Sequence, residues 1–270
     1  MSDGHTPSDT PARLNTAVAH NARVWNYWIG GKDNYEVDQQ VGAQVAGMFP
    51  IIREVARADR WFLGRAVRFL AEERGVRQFL DIGTGLPTVD NTHEIAQRIA
   101  PDSRIVYVDN DPIVLVHART LLTSTADGVT DYIDADVHDP DAILERAAKT
   151  LDFDQPIAVM MLGILNFVLD AEKARDISRR VMAAMPSGSY LALTHPTFDA
   201  DLGGEGQIPA MTFWNENATP PITARSRADI AAFFDGLQLL EPGLVSCSQW
   251  RAEPDSPVVV PQFGAVAVKP

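Results

Sequence analysis

The chain has 270 residues, of which 46% are hydrophobic and 22% are charged, and its formal net charge is −13. This composition is typical of a globular protein with a sizeable core, and the length fits one α/β domain that carries an extension. The acidic balance argues against electrostatic binding to a nucleic-acid backbone, which requires clustered lysine and arginine. The sequence has no apolar run of the roughly 20 residues that span a bilayer, so we expect no membrane anchor.

The N-terminal segment and the cysteine content predict a protein of the reducing cytoplasm. Residues 1–15 are polar, rich in Pro, Ser and Thr, and lack the apolar core of a secretion signal, so we expect a flexible tail. Cys247 is the single cysteine, which excludes an internal disulfide and a thiolate metal cluster. We expect Cys247 to be a small buried side chain, and the spacing of His, Cys and carboxylates predicts no metal site.

Residues 16–75 predict a helical cap that precedes the first strand. Ala22, Trp25 and Ile29 share one helical face, and Gly30-Gly31 provides a stop. Further helices are expected over 38–47 and 51–74. In the last of these, arginines alternate with acids, which favours a solvated helix face. The residues concerned are Arg53, Arg57, Arg60, Arg65, Arg68, Glu54, Asp59, Glu72 and Glu73.

From residue 76 the pattern alternates between strands and helices. Strands are expected at 78–81, 104–109, 130–133, 156–162 and 189–194, and helices at 91–100, 113–124, 141–150 and 171–185. Such alternation predicts a parallel sheet with helices on both faces.

The end of the chain departs from this rhythm. Residues 199–221 are rich in Gly, Pro and Asn and predict a long lid or binding loop, with Trp214 and Glu216 as candidate substrate contacts. A capping-box-like spacing at Ser226 predicts a short helix through Phe234. Two last strands, expected at 237–245 and 263–268, are too close in sequence for a crossover and should be antiparallel.

The predicted fold is therefore α/β. We expect a Rossmann-like, doubly wound, mostly parallel seven-stranded sheet with an antiparallel C-terminal strand, plus an N-terminal helical extension. Ligands of such sheets bind at the carboxyl ends of the strands, near the switch point in strand order.

A glycine turn follows the first strand of this sheet. The apolar strand ends in Asp81 and opens into Gly83-Thr84-Gly85. Glycines allow the backbone to turn sharply and to pass close to a ligand, which is typical of a nucleotide-cofactor pocket. A dinucleotide-binding loop carries a third glycine where this chain has Thr88, so that fingerprint is incomplete. The turn therefore favours S-adenosylmethionine as the cofactor.

Two more acids follow the next strands. Asp109 closes the second strand, 28 residues after Asp81, and Asp136 follows the third. The Asp109 carboxylate can accept both hydroxyl protons of a ribose. Asp136 can accept from an adenine amine while Val137 packs near the ring. The three acids together predict a cleft for an adenosyl group.

With these residues the chain resembles class I S-adenosylmethionine-dependent methyltransferases. It is more closely similar to a bacterial family of S-adenosyl methyltransferases formerly catalogued as a domain of unknown function. The matching segments are 23–35 (RVWNYWIGGKDNY), 79–88 (FLDIGTGLPT), 91–94 (NTHE), 106–112 (VYVDNDP), 135–137 (ADV) and 241–245 (EPGLV). The resemblance implies a methyltransferase with S-adenosyl-L-methionine as its cofactor.

We assign further residues to the cofactor pocket beside the three acids and Val137. They are Gly83, Thr84, Gly85, Asn110 and Gly163, together with Tyr27 and Lys32 from the cap, where Lys32 is expected near the methionine carboxylate.

Methyl transfer needs a base only if the acceptor arrives protonated. His195, at the end of the strand expected at 189–194, is the candidate catalytic base because histidine titrates near neutral pH. Many relatives are expected to carry a histidine where this chain has Asn166, so the resemblance supports cofactor binding better than a particular mechanism.

The acceptor is expected to be a small molecule. The chain lacks the Pro-Pro-aromatic motif of amino-group methylation in DNA or glutamine after the fourth strand, and it lacks a Pro-Cys nucleophile there. Two alternatives stay open: an NAD(P)-dependent oxidoreductase, and a non-catalytic S-adenosylmethionine-binding protein, since a fold alone does not establish an activity. The oligomeric state is left undetermined.

Overall fold

The computed structural model describes residues 16–114, 116, 124–253 and 258–270. The tail expected over 1–15 and most of the helix expected over 113–124 lie outside the described residues; residues 112–114 are helical. Within the described ranges, every helix is too short or too polar to cross a membrane.

A central sheet organises the chain. In chain order the strands are β1 (Ala19–His20), β2 (Gln78–Ile82), β3 (Arg104–Asp109), β4 (Val129–Asp134), β5 (Ala158–Leu162), β6 (Tyr190–Pro196), β7 (Ala218–Thr219), β8 (Gln238–Leu239), β9 (Val245–Ser246) and β10 (Gln262–Val268). The central sheet has the order β4-β3-β2-β5-β6-β10-β8, and β9, also paired to β10, makes it eight-stranded where seven strands were expected. Strands β1 and β7 pair with each other in a separate two-stranded sheet. Strands β2 to β6 run parallel, whereas β10 runs antiparallel to β6, β8 and β9. The predicted mostly parallel sheet with an antiparallel C-terminal strand is confirmed.

Helices cover both faces of this sheet. They are α1 (Asn21–Trp28), α2 (Glu36–Met48), α3 (Ile52–Glu72), α4 (Thr92–Ile99), α5 (Pro140–Ala147), α6 (Ala171–Ala184), α7 (Ile208–Asn217) and α8 (Arg227–Ala231). Local capping explains several starts. The side chain of Asp139 accepts from Ala142 N ahead of α5, and Ser226 caps α8 as its spacing predicted.

Two apolar clusters hold the layers together. One joins the sheet to α1–α4 and includes Phe62, Phe79 and Trp250, all fully buried. The Phe62 and Trp250 rings meet edge to face with centroids 5.3 Å apart. The other cluster joins α5 and α6 to the opposite face and includes Ile143 and Val181. The helices that precede the sheet therefore share a core with it.

The segment expected as a loop over 199–221 contains regular structure, so that prediction was wrong. It holds two 3-10 turns, Ala200–Leu202 and Gly204–Gln207, followed by helix α7. Pro209 lies in the first turn of α7, where a missing N–H costs no hydrogen bond. The Gly and Pro content of the segment concealed this helix. Helix α7 packs against α2, and the ring centroids of Trp28 and Trp214 are 6.2 Å apart.

The strand expected over 237–245 is divided into β8 and β9. Pro242 and Gly243 interrupt it; Pro242 has no N–H for the sheet ladder, and Gly243 has φ of 83°. Both short strands pair with β10, so the predicted antiparallel relationship holds.

A buried ion pair joins α1 to α2. The side chains of Arg23 and Asp38 are 3% and 0% exposed, and Arg23 Nε donates to Asp38 Oδ2 at 2.8 Å. Asp38 also accepts from the backbone N–H groups of Tyr35 at 2.8 Å and His20 at 3.1 Å. These partners belong to the start of α1 and to the N-cap of α2, so the carboxylate fixes how the first two helices meet.

We expect Asp38→Ala to lower the free energy of unfolding by about 3–5 kcal/mol, because the buried Arg23 charge loses its carboxylate partner. Denaturant titration followed by circular dichroism measures the change. Glu36→Ala is the control: Glu36 is exposed in the first turn of the same helix and should change stability by less than about 0.5 kcal/mol. Equal losses in the two variants would contradict the assigned role of Asp38.

Candidate active site

A cavity of about 270 Å³ opens where the parallel strands end. One side is formed by the loop after β2 and by the ends of β3, β4 and β5. The other side is formed by α1, α2, α3 and α7. The sheet edge and the N-terminal helices therefore enclose a single space.

Most residues predicted to bind the cofactor meet in this cavity, although they come from four separate strand ends. Those that line it are Asp81, Gly83, Thr84, Gly85, Asp109, Asn110, Asp136, Val137 and Gly163.

The glycine turn leaves the backbone open toward a ligand. Gly83 has φ of 80° and its N–H donates to Val108 O at 2.8 Å. Gly85 has φ of 66°, and a Cβ added there would meet no atom within 4 Å. The absence of a side chain at Gly85 keeps this part of the wall clear, whereas a Cβ at Gly83 would meet the Ile164 side chain at 2.6 Å.

Asp109 is held by backbone donors. Asp111 N donates to Oδ1 at 3.0 Å and Gly85 N donates to Oδ2 at 2.8 Å. Burial raises the pKa of this carboxyl, and the two N–H groups oppose that rise. Each carboxylate oxygen has a second lone pair, so Asp109 can accept the two hydroxyl groups of a ribose.

Asp136 lies at the exposed rim of the cavity. Asn110 Nδ2 donates to its Oδ2 at 2.9 Å, and the backbone N of His138 donates to its Oδ1 at 2.9 Å. Partial burial alone would raise its pKa, but hydrogen bonds from His138 and Asn110 bring the pKa below its usual range. Asp136 is therefore an ionised acceptor beside Val137, which is 7% exposed.

Asp81 is a buried carboxylate at the end of β2. Thr92 Oγ1 donates to its Oδ2 at 2.6 Å, and burial raises the pKa of Asp81 to about 6. Arg60 of α3 is the cation whose charge opposes that rise. Asp81 and Arg60 both line the cavity, so its wall carries a negative and a positive charge that attract each other.

Arg60 was expected on a solvated helix face, and this prediction was wrong. Its Nη2 donates to the carbonyl groups of loop residues 89–90 and to Asn91 Oδ1, at 2.9–3.1 Å. Its Nε is buried and has no hydrogen-bond partner in the described part of the chain. Arg60 thus holds the loop with one nitrogen and retains donors for a ligand.

Asp59, the neighbour of Arg60, was assigned to the same solvated face and is instead 7% exposed. Its Oδ1 accepts from Thr194 Oγ1 and from Gln262 Nε2, both at 2.5 Å, and burial raises its pKa to about 6. A signal was present in the sequence. Asp59 falls in the apolar stripe of α3, four residues after Val55 and three before Phe62.

Beyond these charged groups the cavity wall is apolar and aromatic. Helices α1, α2 and α7 contribute most of it, through Trp25, Trp28, Val45, Phe49, Ala210, Met211 and Trp214. Trp214, one of the two loop contacts expected from the sequence, lines the cavity; the exposed Glu216 does not. Asn166 also lines the wall, and its amide oxygen is buried without a partner among the described residues.

Two cap residues assigned to the cofactor do not line this cavity. Lys32 is exposed. Tyr27 packs under Arg53, whose guanidinium carbon lies 5.7 Å from the ring centroid. The helix periodicity turns Tyr27 away while it directs Trp25 and Trp28 into the cavity.

His195, the expected base, does not reach the cavity either. It is fully buried, its Nδ1 lies 2.8 Å from Pro196 O, and its Nε2 lies 2.7 Å from Arg225 Nη1. Burial lowers its pKa to about 3. Strand alternation explains the error: Thr194 faces Asp59 on the cavity side, so His195 points to the opposite face, where it packs against Phe233.

The hydrogen-bonding and apolar groups of this cavity fit S-adenosylmethionine. Asp109 offers acceptors for a ribose, Asp136 and Val137 suit an adenine, and Arg60 has unused donors next to the Asp81 carboxylate. In the residues that the structure describes, no group of three or more His, Cys, Asp or Glu could hold a metal ion.

Comparison with known proteins agrees with this fit. Residues 7–270 match the family model described as S-adenosyl methyltransferase. A DUF574 family protein from Streptomyces avermitilis is 42% identical, with a TM-score of 0.90 over 96% of this chain and 100% of that chain. A Thermobifida fusca protein, provisionally named a methyltransferase, is 36% identical, with a TM-score of 0.86 over 97% and 99%.

A more distant structure shares the fold alone. Magnesium protoporphyrin IX methyltransferase from Synechocystis, with bound S-adenosylhomocysteine, is 12% identical, with a TM-score of 0.52 over 92% of this chain and 93% of that chain. A search of curated proteins finds no match. The family match spans nearly the whole sequence, and the chain therefore belongs to the S-adenosyl methyltransferase family, as an enzyme that uses S-adenosyl-L-methionine to transfer methyl groups.

Proposed function

We propose that this methyltransferase acts on a small-molecule acceptor bound in the aromatic half of the cavity, with the cofactor held in the acidic half. The observation that carries the proposal is the continuity of the cavity, which joins the strand-end acids to the aromatic side chains of α1, α2 and α7. An enclosed, largely apolar space suits a small ligand. The net charge of −13 argues against a nucleic-acid acceptor. The single, buried Cys247 is consistent with work in the cytoplasm.

In this proposal the adenosyl group is bound by residues that follow β2, β3 and β4. Asp109 accepts from the ribose hydroxyl groups, and Asp136 accepts from the adenine amine while Val137 packs on the ring. Gly83 and Gly85 let the backbone approach, as Gly163 does from the end of β5, where its φ is 59°.

The amino-acid end of the cofactor carries an ammonium and a carboxylate. We assign the ammonium to Asp81 and the carboxylate to Arg60, because the two side chains present the complementary charges in one wall. Arg60 thereby takes the role first expected of Lys32. The bound cofactor supplies an already activated methyl group on a sulfonium centre.

Residues 16–75 act in this proposal as a cap over the acceptor. Trp25 and Trp28 from α1 and Phe49 after α2 cover the cavity opposite the strand ends. Enclosure of the acceptor excludes water and fixes its orientation, which supplies much of the rate of a reaction whose methyl group needs no activation.

Asp109→Ala should weaken binding of S-adenosylhomocysteine by about 1.5–3 kcal/mol, because hydrogen bonds to a charged acceptor are lost. Isothermal titration calorimetry measures the affinity. Asp134→Ala is the matched control, since Asp134 ends β4 and lies outside the cavity wall. Unchanged affinity in Asp109→Ala would remove Asp109 from the site.

Affinity for S-adenosylhomocysteine should depend on pH through Asp81. Only the ionised carboxylate attracts an ammonium group, and the pKa of Asp81 in the free protein is about 6. Binding should therefore be nearly constant above pH 7 and about tenfold weaker at pH 5. Asp81→Asn should bind more weakly at pH 7.5 and lose this dependence. A wild-type affinity that stays level from pH 7.5 to 5 would refute the assignment.

Arg60→Gln should weaken binding of S-adenosylhomocysteine by about tenfold or more, but leave 5′-methylthioadenosine, which lacks the amino-acid group, within about twofold. Lys32→Gln should change neither affinity. Equal losses for both ligands in Arg60→Gln would mean that Arg60 only shapes the loop through its bonds to residues 89–91.

A further inference from the structure

Asp59 is the charged side chain of the cavity wall that cofactor binding leaves without a role. Arg60, Asp81, Asp109 and Asp136 each have a part of the cofactor to bind, and Asp59 lines the same space. A buried carboxylate in a ligand cavity costs free energy unless a partner compensates it.

Asp59 lies on the side of the cavity that is proposed to bind the methyl acceptor. Asp59 is bonded to Thr194 of β6 and Gln262 of β10. Strand β6 is separated from β2, which carries Asp81, by strand β5. Two strand spacings amount to about 10 Å. In the proposed function the Asp59 carboxylate therefore lies toward β6, away from the Asp81 carboxylate that binds the amino-acid end of the cofactor.

The hydrogen bonds leave half of this carboxylate available. Thr194 and Gln262 both donate to Oδ1. In the described ranges no donor is bonded to Oδ2. Since the two donors fix the orientation of the carboxylate, Oδ2 is a preorganised acceptor for whatever enters the cavity.

A cation at Asp59 Oδ2 would balance the charge of this buried carboxylate. Asp81 adds negative potential, and Cys247, the other titratable group near Asp59, is a buried thiol whose pKa is well above its usual value. Arg60 attracts Asp59 electrostatically, but its bonds are made to the loop at 89–91. The Asp59 pKa of about 6 leaves the group ionised at neutral pH and able to take a proton.

A second group in the wall also calls for a donor. Asn166, 6% exposed in the turn after β5, has an amide oxygen without a partner among the described residues. A half-turn of the amide would offer that oxygen to an N–H of a ligand. Ligands rich in donors would therefore satisfy both groups.

We propose that the methyl acceptor is a primary or secondary amine on an apolar, aromatic-sized body, and that Asp59 binds this amine through Oδ2. The proposal rests on the function proposed above and names its substrate class. The aromatic side chains of the wall, which include Trp25 and Trp214, suit the apolar body of such a molecule.

Asp59 also serves as the base in this reaction. The ammonium gives one proton to Oδ2, and the lone pair so freed forms the nitrogen–carbon bond. The carbon–sulfur bond breaks as that bond forms, and its electrons stay on sulfur as a neutral thioether. The product is a methylated ammonium, and the proton on Asp59 passes to solvent when the cavity opens.

The test uses three probes with the same aromatic body: 2-phenylethylamine, 2-phenylethanol and 3-phenylpropionate. Each is titrated by calorimetry into the full chain saturated with S-adenosylhomocysteine. We expect the amine to bind at least about tenfold more tightly than the other two. Incubation of 2-phenylethylamine with S-adenosylmethionine should then yield an N-methylated product by mass spectrometry.

Asp59→Asn should weaken amine binding by about tenfold and leave S-adenosylhomocysteine affinity within about twofold. Glu54→Gln is the matched control, since Glu54 is on the same helix outside the cavity wall, and it should change neither affinity. The wild-type comparison of probes needs no variant, so it remains decisive if Asp59→Asn fails to fold.

Several outcomes would overturn the amine assignment. These are a wild-type preference for the alcohol or the carboxylate, no binding of the amine, or amine affinity unchanged in a folded Asp59→Asn protein. In each case retained S-adenosylhomocysteine binding would keep the cofactor half of the proposed function intact. Loss of S-adenosylhomocysteine binding in the wild type would instead remove the proposed function itself.

Discussion

The parallel alignment of β2 to β6 is the constraint on which the rest of the structure depends. Parallel neighbours end at the same edge, so residues that are far apart in sequence, such as Asp81, Asp136 and Gly163, meet there without any direct bond among them. A backbone bond from Gly85 N to the Asp109 carboxylate then ties the glycine turn to the neighbouring strand. The sheet thus brings the acids of this half of the cavity together, while Thr92 of α4 and Arg60 of α3 provide the hydrogen bond and the positive charge beside Asp81.

The other half depends on α3. This helix buries Phe62 against Trp250 and bonds Asp59 to β6 and β10, so it cannot slide along the sheet without breaking polar and apolar contacts together. Helices α1 and α2 pack against α3 and are joined by the Arg23–Asp38 pair, and α7 packs against α2. In the proposed function, α3 lies between the cofactor and the methyl acceptor and helps to orient one relative to the other.

Much of this could be read from the sequence, because glycine turns, strand-end acids and alternating hydrophobicity are local signals. The errors have separate physical origins. His195 and Thr194 are adjacent, and one register step decides which of them faces the cavity. Asp59 and Arg60 were assigned to a solvated helix face because they are charged. The helical phase of Asp59, however, places it on the same face as Val55 and Phe62. Helix α7 was hidden because Pro209 breaks a helix in its interior but begins one without cost. The helical phase of Asp59 could be read from the sequence, whereas the register of β6 and the start of α7 depend on tertiary neighbours that a single sequence does not specify.

Two consecutive residues of α3, Asp59 and Arg60, both line the cavity, and in the proposed function they bind different ligands. Because one peptide bond joins these two residues, α3 fixes the distance between the proposed site of the methyl acceptor and the proposed site of the cofactor. Substitutions in the aromatic surface that α1, α2 and α7 contribute would then admit molecules of another shape while that distance stays constant. Diversification of acceptors in such a scaffold need not disturb the machinery that recognises the shared methyl donor.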